Sequence, residues 1–236
     1  MIRVLVPVGA LSDGVVLTLA EEEAHHLDVR RVADGRSVVV LDGAGMRATG
    51  KVIKLGRHWE LTVASVAEEV RPVELVLAVG GGDKDRFLWL AEKAAELGVT
   101  QLVPLETTRS RNVENRLREG TLEKARRRAR EACKQSGNLW APVVHDMTAV
   151  ESLAGRLPDV AWLLADASGA IAPPMASDAA VGWLIGPEGG FSGEDLALIA
   201  RCLAPRSVTL GRHMLRFETA AIAAAVMTVD RRAAGG

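Results

Sequence analysis

The hydrophobic pattern of this 236-residue chain changes period near residue 70, and that change narrows the folds open to it. Before it, short apolar runs (Val4 to Val8, Val15 to Leu19, Val38 to Leu41, Lys51 to Leu55 and Glu60 to Ala64) are broken by turns at Asp13-Gly14, Asp34-Gly35 and Asp42-Gly43. Runs of this length bounded by Asp-Gly pairs predict strands, so residues 1–70 read as a small all-β domain with one helix over Glu21 to Arg31. The charged, proline-bearing stretch Glu68-Glu69-Val70-Arg71-Pro72 is a linker. Beyond it strands alternate with helices: Glu74 to Val79, helix Asp85 to Leu97, Leu102 to Leu105, helix Leu122 to Gln135, Trp162 to Ala165, Gly182 to Ile185, helix Asp195 to Cys202, Val208 to Leu210, and helix Glu218 to Asp230. That order calls for a mainly parallel sheet, making residues 73–236 an α/β domain.

With 48% apolar residues the chain can bury one large core or two modest ones, and no uninterrupted apolar run approaches bilayer length. A cytoplasmic protein with no membrane segment is expected. Cys133 and Cys202 stand alone, without C-x-x-C or histidine spacing, and none of the five histidines sits at ligand spacing with a carboxylate. Both cysteines read as core residues, and no metal is expected.

The net charge of -1 conceals an asymmetry. Between Arg109 and Lys134 ten basic residues face four acidic ones, and eight of the ten are arginines, whose planar fork suits phosphate. Arg126, Arg127, Arg128 and Arg130 cannot all pair with Glu123 and Glu131 at helical spacing, which leaves guanidinium groups for an external anion.

Two glycine-bearing turns lie near the C-terminus: Ile185-Gly186-Pro187-Glu188-Gly189-Gly190-Phe191-Ser192, and Leu210-Gly211-Arg212-His213-Met214-Leu215-Arg216-Phe217-Glu218-Thr219-Ala220. Each links an apolar run to a helix, where glycine lets main chain approach a ligand. Ser192 with Asp195 three residues on suits a helix N-cap. Gly80-Gly81-Gly82 lacks both G-x-G-x-x-G and P-loop spacing, and reads as a flexible strand-to-helix turn.

In wording and order the two C-terminal turns resemble the SPOUT methyltransferases, specifically the RsmE family, which methylates N3 of a uridine in small-subunit ribosomal RNA. Lys84-Asp85-Arg86, Lys93 to Val99 with Pro104, Glu131 to Ser136 with Pro142, and His25 to Arg31 extend the similarity. Two positions depart from the family pattern: Asn138 stands for an arginine, and Arg30 for a leucine, which makes Arg31 the better functional candidate. The resemblance implies an N-terminal PUA-like β-barrel domain, an α/β trefoil-knot methyltransferase domain, a homodimer, S-adenosylmethionine as cofactor and ribosomal RNA as partner. Cofactor contacts would come from Gly186, Gly189, Leu210, Gly211, Met214 and Leu215, with Leu164, Glu188, Arg216 and Thr219 beside them. RNA contacts would come from Arg31, Lys84, Arg86, Arg109, Arg126, Arg128 and Arg130.

The chemistry this implies is direct displacement at a methylsulfonium, with no enzyme nucleophile. A uridine imide loses its proton about two units above neutral pH, a barrier of about 2.7 kcal/mol that the protein must offset. Arg216 is the candidate for stabilising the anion and Glu218 for accepting the proton, although a carboxylate at a helix start also complements the helix dipole. Two alternatives stay open: a related methyltransferase acting on another ribosomal or transfer RNA position, and an RNA-binding assembly factor without catalysis.

Overall fold

A computed structural model describes residues 1–108 and 117–234. The chain divides into two compact units, one of residues 1–71 with 130–141, the other of residues 72–129 with 142–236.

In the first unit, strands β1 (Arg3–Leu5), β2 (Val16–Thr18), β3 (Arg36–Leu41), β4 (Met46–Leu55) and β5 (His58–Glu68) form one sheet in the order β1-β3-β4-β5-β2. Only β1 and β3 are parallel; the other pairs are antiparallel. Along β4 the residues Ala48, Gly50 and Val52 alternate inward as the pleat requires. They meet Trp59, Leu61 and, from helix α1 (Glu21–Val29), Leu27, which is fully buried. The Trp59 indole donates to Asp28 Oδ1 at 2.9 Å, so its polar atom is satisfied where the ring is buried.

Residues 130–141, which the periodicity assigns to the α/β domain, pack in this first unit. Three interactions explain it. Arg130 donates to the carbonyl oxygens of Val6 and Asp42, at 3.1 and 3.2 Å. Leu139 joins Val39 and Leu41 in a small apolar cluster. Lys134 Nζ lies 2.7 Å from Glu23 Oε1 and 2.8 Å from Glu131 Oε2, in a buried ion pair with Glu23. Burial opposes the Lys134 charge, but the hydrogen bonds it donates to Glu131 and Glu23 more than offset this and raise its pKa. Burial raises the Glu23 pKa too, with Lys134 pulling the other way.

In the second unit six parallel strands take the order β11-β9-β10-β6-β7-β8. They are β6 (Leu75–Gly80), β7 (Gln101–Leu105), β8 (Val143–Val144), β9 (Ala161–Ala170), β10 (Val181–Ile185) and β11 (Arg206–Val208). The helices are α2 (Lys84–Glu96), α3 (Glu119–Ser136, shared with the first unit), α4 (Val150–Arg156), α5 (Gly193–Leu203) and α6 (Phe217–Ala234). Central β6 and β10 are buried along their whole length, as strands covered on both faces must be. Leu75, Leu77, Val79, Trp183 and Ile185 face α2 and α6, whereas Val76, Ala78 and Leu184 face α4 and α5. Trp183 Nε1 donates at 2.9 Å to Thr228 Oγ1 on α6, giving the buried indole its partner.

The sequence pattern misses β8 and α4, whose runs are too short to show a period. It ends β9 at Ala165, yet the strand continues to Ala170 because a register break lets it rejoin β11 at Val208. Gly80 ends β6 and Gly81 and Gly82 lead into α2, so the three form the expected strand-to-helix turn, and two of them have a packing role. A Cβ on Gly80 would collide with the Pro187 ring and one on Gly82 would come 2.8 Å from the Phe217 ring, so these glycines permit close packing.

Lys134→Ala should destabilise the first unit by about 3 kcal/mol, because Glu23 would be left buried and unpaired. The Glu23 pKa is already raised, so in the variant the folded state binds its proton more tightly than the unfolded chain does. The deficit should therefore shrink as pH falls towards the ordinary carboxylate value, and thermal melts from pH 8 to about pH 4 would read it.

Candidate active site

Strands β6 and β10 adjoin at the point where strand order reverses, and in open parallel sheets a ligand crevice forms beyond the carboxyl ends at such a point. A cavity of about 400 Å³ lies there. Its walls are the loop after β10 (Gly186 to Phe191), the loop after β11 (Leu210 to Leu215) with Phe217 and Ala220 of α6, and residues 164–167 of β9.

Each wall has a local cause. Ser207 pairs with Leu164 and Val208 with Ala170, which leaves residues 165–169 without partners on β11, and Ala165, Asp166 and Ala167 turn to the cavity. Asp166 accepts from Ser168 N and Ser168 Oγ, both at 2.9 Å, which fixes that segment. In the loop after β11, Gly211 has φ +147°, a conformation that L side chains rarely adopt, and Thr209 bonds to both its N–H and its carbonyl.

The loop after β10 is anchored at its exit. Ser192 and Asp195 form a capping box at the start of α5. Thr108 donates to Asp195 Oδ1 from its backbone N–H at 2.9 Å and from its hydroxyl at 2.8 Å. Burial works against the Asp195 charge, yet the hydrogen bonds from Thr108 and Ser192 prevail and hold its pKa below the usual carboxylate value. At the opposite end Arg86 lies between two carboxylates, 3.5 Å from Glu188 Oε1 and 3.7 Å from Glu218 Oε1. Glu218 is buried, and among the described residues its Oε2 has no hydrogen-bond partner.

Of the residues expected to hold a cofactor, Leu164, Gly186, Glu188, Gly189, Leu210, Gly211, Met214 and Leu215 line this cavity. Arg216 and Thr219 do not; they are exposed at the start of α6, and the Arg216 carbonyl accepts from Ala220 N at 2.9 Å. Sequence reasoning overlooks Ala165, Asp166 and Ala167, since a register break leaves no periodic signal.

The residues expected to contact RNA separate into several kinds. Lys84 and Arg128 are exposed on helices, and Arg31 is exposed just beyond α1 with φ +49°. Arg109 lies outside the described residues. Arg86 is engaged by Glu188 and Glu218, as above. Arg126 donates from Nε to the Val144 carbonyl at 3.1 Å and pairs with Glu119 and Asp146 at 2.6 and 2.5 Å. Arg126 and Arg130 are thus straps within the fold: Glu119 lies two turns earlier on the same helix, and the Val144, Asp146, Val6 and Asp42 partners are tertiary. Cys133 is buried, and burial pushes its thiol up to about 12. Among the described residues no three histidine, cysteine or carboxylate side chains are grouped to hold a metal ion, and no helix is long and apolar enough to cross a membrane.

Comparison with known proteins accords with this arrangement. An RNA methyltransferase domain model matches residues 69–228 and an RNA methyltransferase PUA domain model matches residues 19–58. Ribosomal RNA small subunit methyltransferase E of Rickettsia conorii is 30% identical over 160 residues, covering 64% of this chain and 62% of that protein's length. Its namesake in Bacillus subtilis is 25% identical over 228 residues, covering 89% of this chain and 88% of that one. A methyltransferase from Legionella pneumophila, solved in complex with bound cofactor SAM, superposes with a TM-score of 0.84 at 26% identity, over 99% of this chain and 97% of the other. The expected fold class, a PUA-like β domain followed by a SPOUT-type α/β domain, agrees with these matches and with the parallel sheet.

Asp195→Asn should cost about 1–2 kcal/mol at neutral pH, because an amide cannot accept on both sides from Thr108 and Ser192. The wild-type carboxylate has a depressed folded pKa, so its contribution is complete above about pH 3.9 and disappears as pH falls through the folded value. Melting curves of the two proteins should converge at low pH; a constant offset would refute this account of the cap.

Proposed function

This chain belongs to the RNA methyltransferase family, and from that premise we propose that it is a ribosomal RNA small subunit methyltransferase E, methylating N3 of a uridine in 16S ribosomal RNA with S-adenosylmethionine as donor. The observation that carries this reading is the cavity at the switch point of the parallel sheet. At about 400 Å³ it falls within the roughly 300–1,000 Å³ of small-molecule sites. The likeness to the SAM-bound Legionella enzyme spans nearly the whole chain and supports the same assignment.

The lining suits the cofactor's parts. Leu164, Leu210, Met214 and Leu215 offer apolar contact to an adenine, and Gly186 brings main chain without a side chain to the cavity wall. Glu188 offers negative charge to the amino or sulfonium group. When bound, the cofactor supplies an activated methyl group, so the protein's task is to orient the uridine and manage its imide proton. Arg216, exposed beside the cavity, stabilises negative charge on the uracil oxygens. Glu218, buried behind the cavity lining with one oxygen near Arg86 and the other without a partner among the described residues, is the proposed acceptor of the proton. In this reading the protein is a homodimer acting in the cytoplasm on RNA of the small subunit.

Two measurements test the reading. Calorimetry with a chelator present should show S-adenosylmethionine binding unchanged, and small subunits from a strain lacking the modification should gain 3-methyluridine; a different methylated nucleoside would overturn the target. Arg216→Ala should lower single-turnover methylation by about two to three orders of magnitude while cofactor affinity barely changes. That defect should shrink at high pH, where more of the imide is already ionised. A pH-independent defect accompanied by a lower melting temperature would instead make Arg216 structural.

A further inference from the structure

A second concavity, of about 460 Å³, opens at the head of α3. Lys84, Arg118, Lys124 and Arg127 line it, with Glu123 the single acid. Among the described residues none of these four cations makes an ion pair, whereas Arg86, Arg126 and Lys134 all do. Four cations that are unpaired among the described residues, around one carboxylate, repel one another, a cost that a bound anion removes.

Two further observations point the same way. Thr121 is only 6% exposed, yet it lines this groove, and among the described residues its hydroxyl has no hydrogen-bond partner. Gly120 has nothing within 4 Å of where a Cβ would stand, so packing does not require a glycine there. In the first turn of this 18-residue helix the Thr121 and Leu122 amides donate to the Arg118 carbonyl at 2.7 and 3.2 Å, which leaves the Glu119 and Gly120 amides, without a partner among the described residues, to favour an anion.

We propose that this groove seats backbone phosphates of the RNA strand, a proposal that rests on RNA being the substrate. Its cations come from two separate helices and the approach to α3, a spread suited to successive phosphates along a strand. Lys84 stands two residues before Arg86, which reaches Glu188 on the cavity wall, so a strand held here runs close to the methyl-transfer site. The groove also differs from the positions that helical charge counting selects, since Arg126 and Arg130 are occupied within the fold.

The test uses the full chain and a short single-stranded RNA, with affinity measured across a salt series. Lys124→Gln with Arg127→Gln should reduce the slope of log affinity against log salt by about 1.4, or ~0.7 for each lost phosphate contact. Arg201→Gln, which removes an exposed arginine elsewhere, should leave the slope unchanged. Thr121→Val, which keeps the volume, should weaken RNA binding several-fold with an unchanged slope. S-adenosylmethionine affinity and melting temperature should stay at wild-type values in the Lys124 and Arg127 variant, as both side chains are exposed. If wild type binds RNA and the double variant keeps its slope, the groove assignment is overturned and the methyltransferase reading stands. If inorganic phosphate alone binds the groove and RNA does not displace it, the occupant is a small anion and the proposal fails. If wild type binds the cofactor but no RNA, the RNA reading falls and the groove with it.

Discussion

The site depends on how closely main chain can approach main chain at the carboxyl end of the parallel sheet. The loop after β10 crosses β6 at Gly80, where Pro187 occupies the place a side chain would take, and Phe217 of α6 does the same over Gly82. At the rim of β9, Gly169 lies against the Val208 backbone, with a Cβ position only 2.6 Å from Val208 N. Three crossings without side chains bring the cavity walls together. A methyl group at any of them would push apart segments that are otherwise well packed, at a cost of about 1–3 kcal/mol each. The cavity is therefore a consequence of backbone packing, and its lining residues are free to serve ligand chemistry.

Charge then sets the orientation of what packing has brought together. Asp195 joins α5 to Thr108, three residues beyond β7, so the exit of the glycine turn is fixed from a segment distant in sequence. Arg86 engages the carboxylates of Glu188 and Glu218 from the first turn of α2. Both groups answer the same problem, since a loop rich in glycine loses much conformational freedom when it folds and needs external partners to hold one geometry. Arg86 also leaves the second oxygen of Glu218 unpartnered among the described residues, and burying such an atom is costly without a donor.

Much of this was legible in the sequence because period and turn chemistry are local. The strands and helices around the sheet follow from apolar spacing, the Ser192 and Asp195 cap from a three-residue motif, and most of the cavity lining from two glycine-bearing turns. What stayed hidden is tertiary. The continuation of β9 to Ala170 depends on a register break against β11, and with it go Ala165, Asp166 and Ala167 as cavity residues. The glycines after β6 carry no mark that separates a flexible turn from a tight crossing, because the colliding atoms belong to Pro187 and Phe217, more than a hundred residues away.

The arginines of α3 show the same limit in its sharpest form. Helical spacing correctly indicates that its carboxylates cannot neutralise them all, but it does not say which remain open. Arg126 finds Asp146 and the Val144 carbonyl, and Arg130 finds the carbonyls of Val6 and Asp42. A guanidinium with five donors is well suited to such fold-internal straps, so arginine density alone overstates the surface open to an anion. Arg127 lies between these two in sequence, yet it faces a groove with Lys124 and Lys84 and stays unpaired among the described residues. Neighbouring positions on one helix point in different directions, and on this helix direction, not residue type, separates the arginines that hold the fold from those able to meet a ligand.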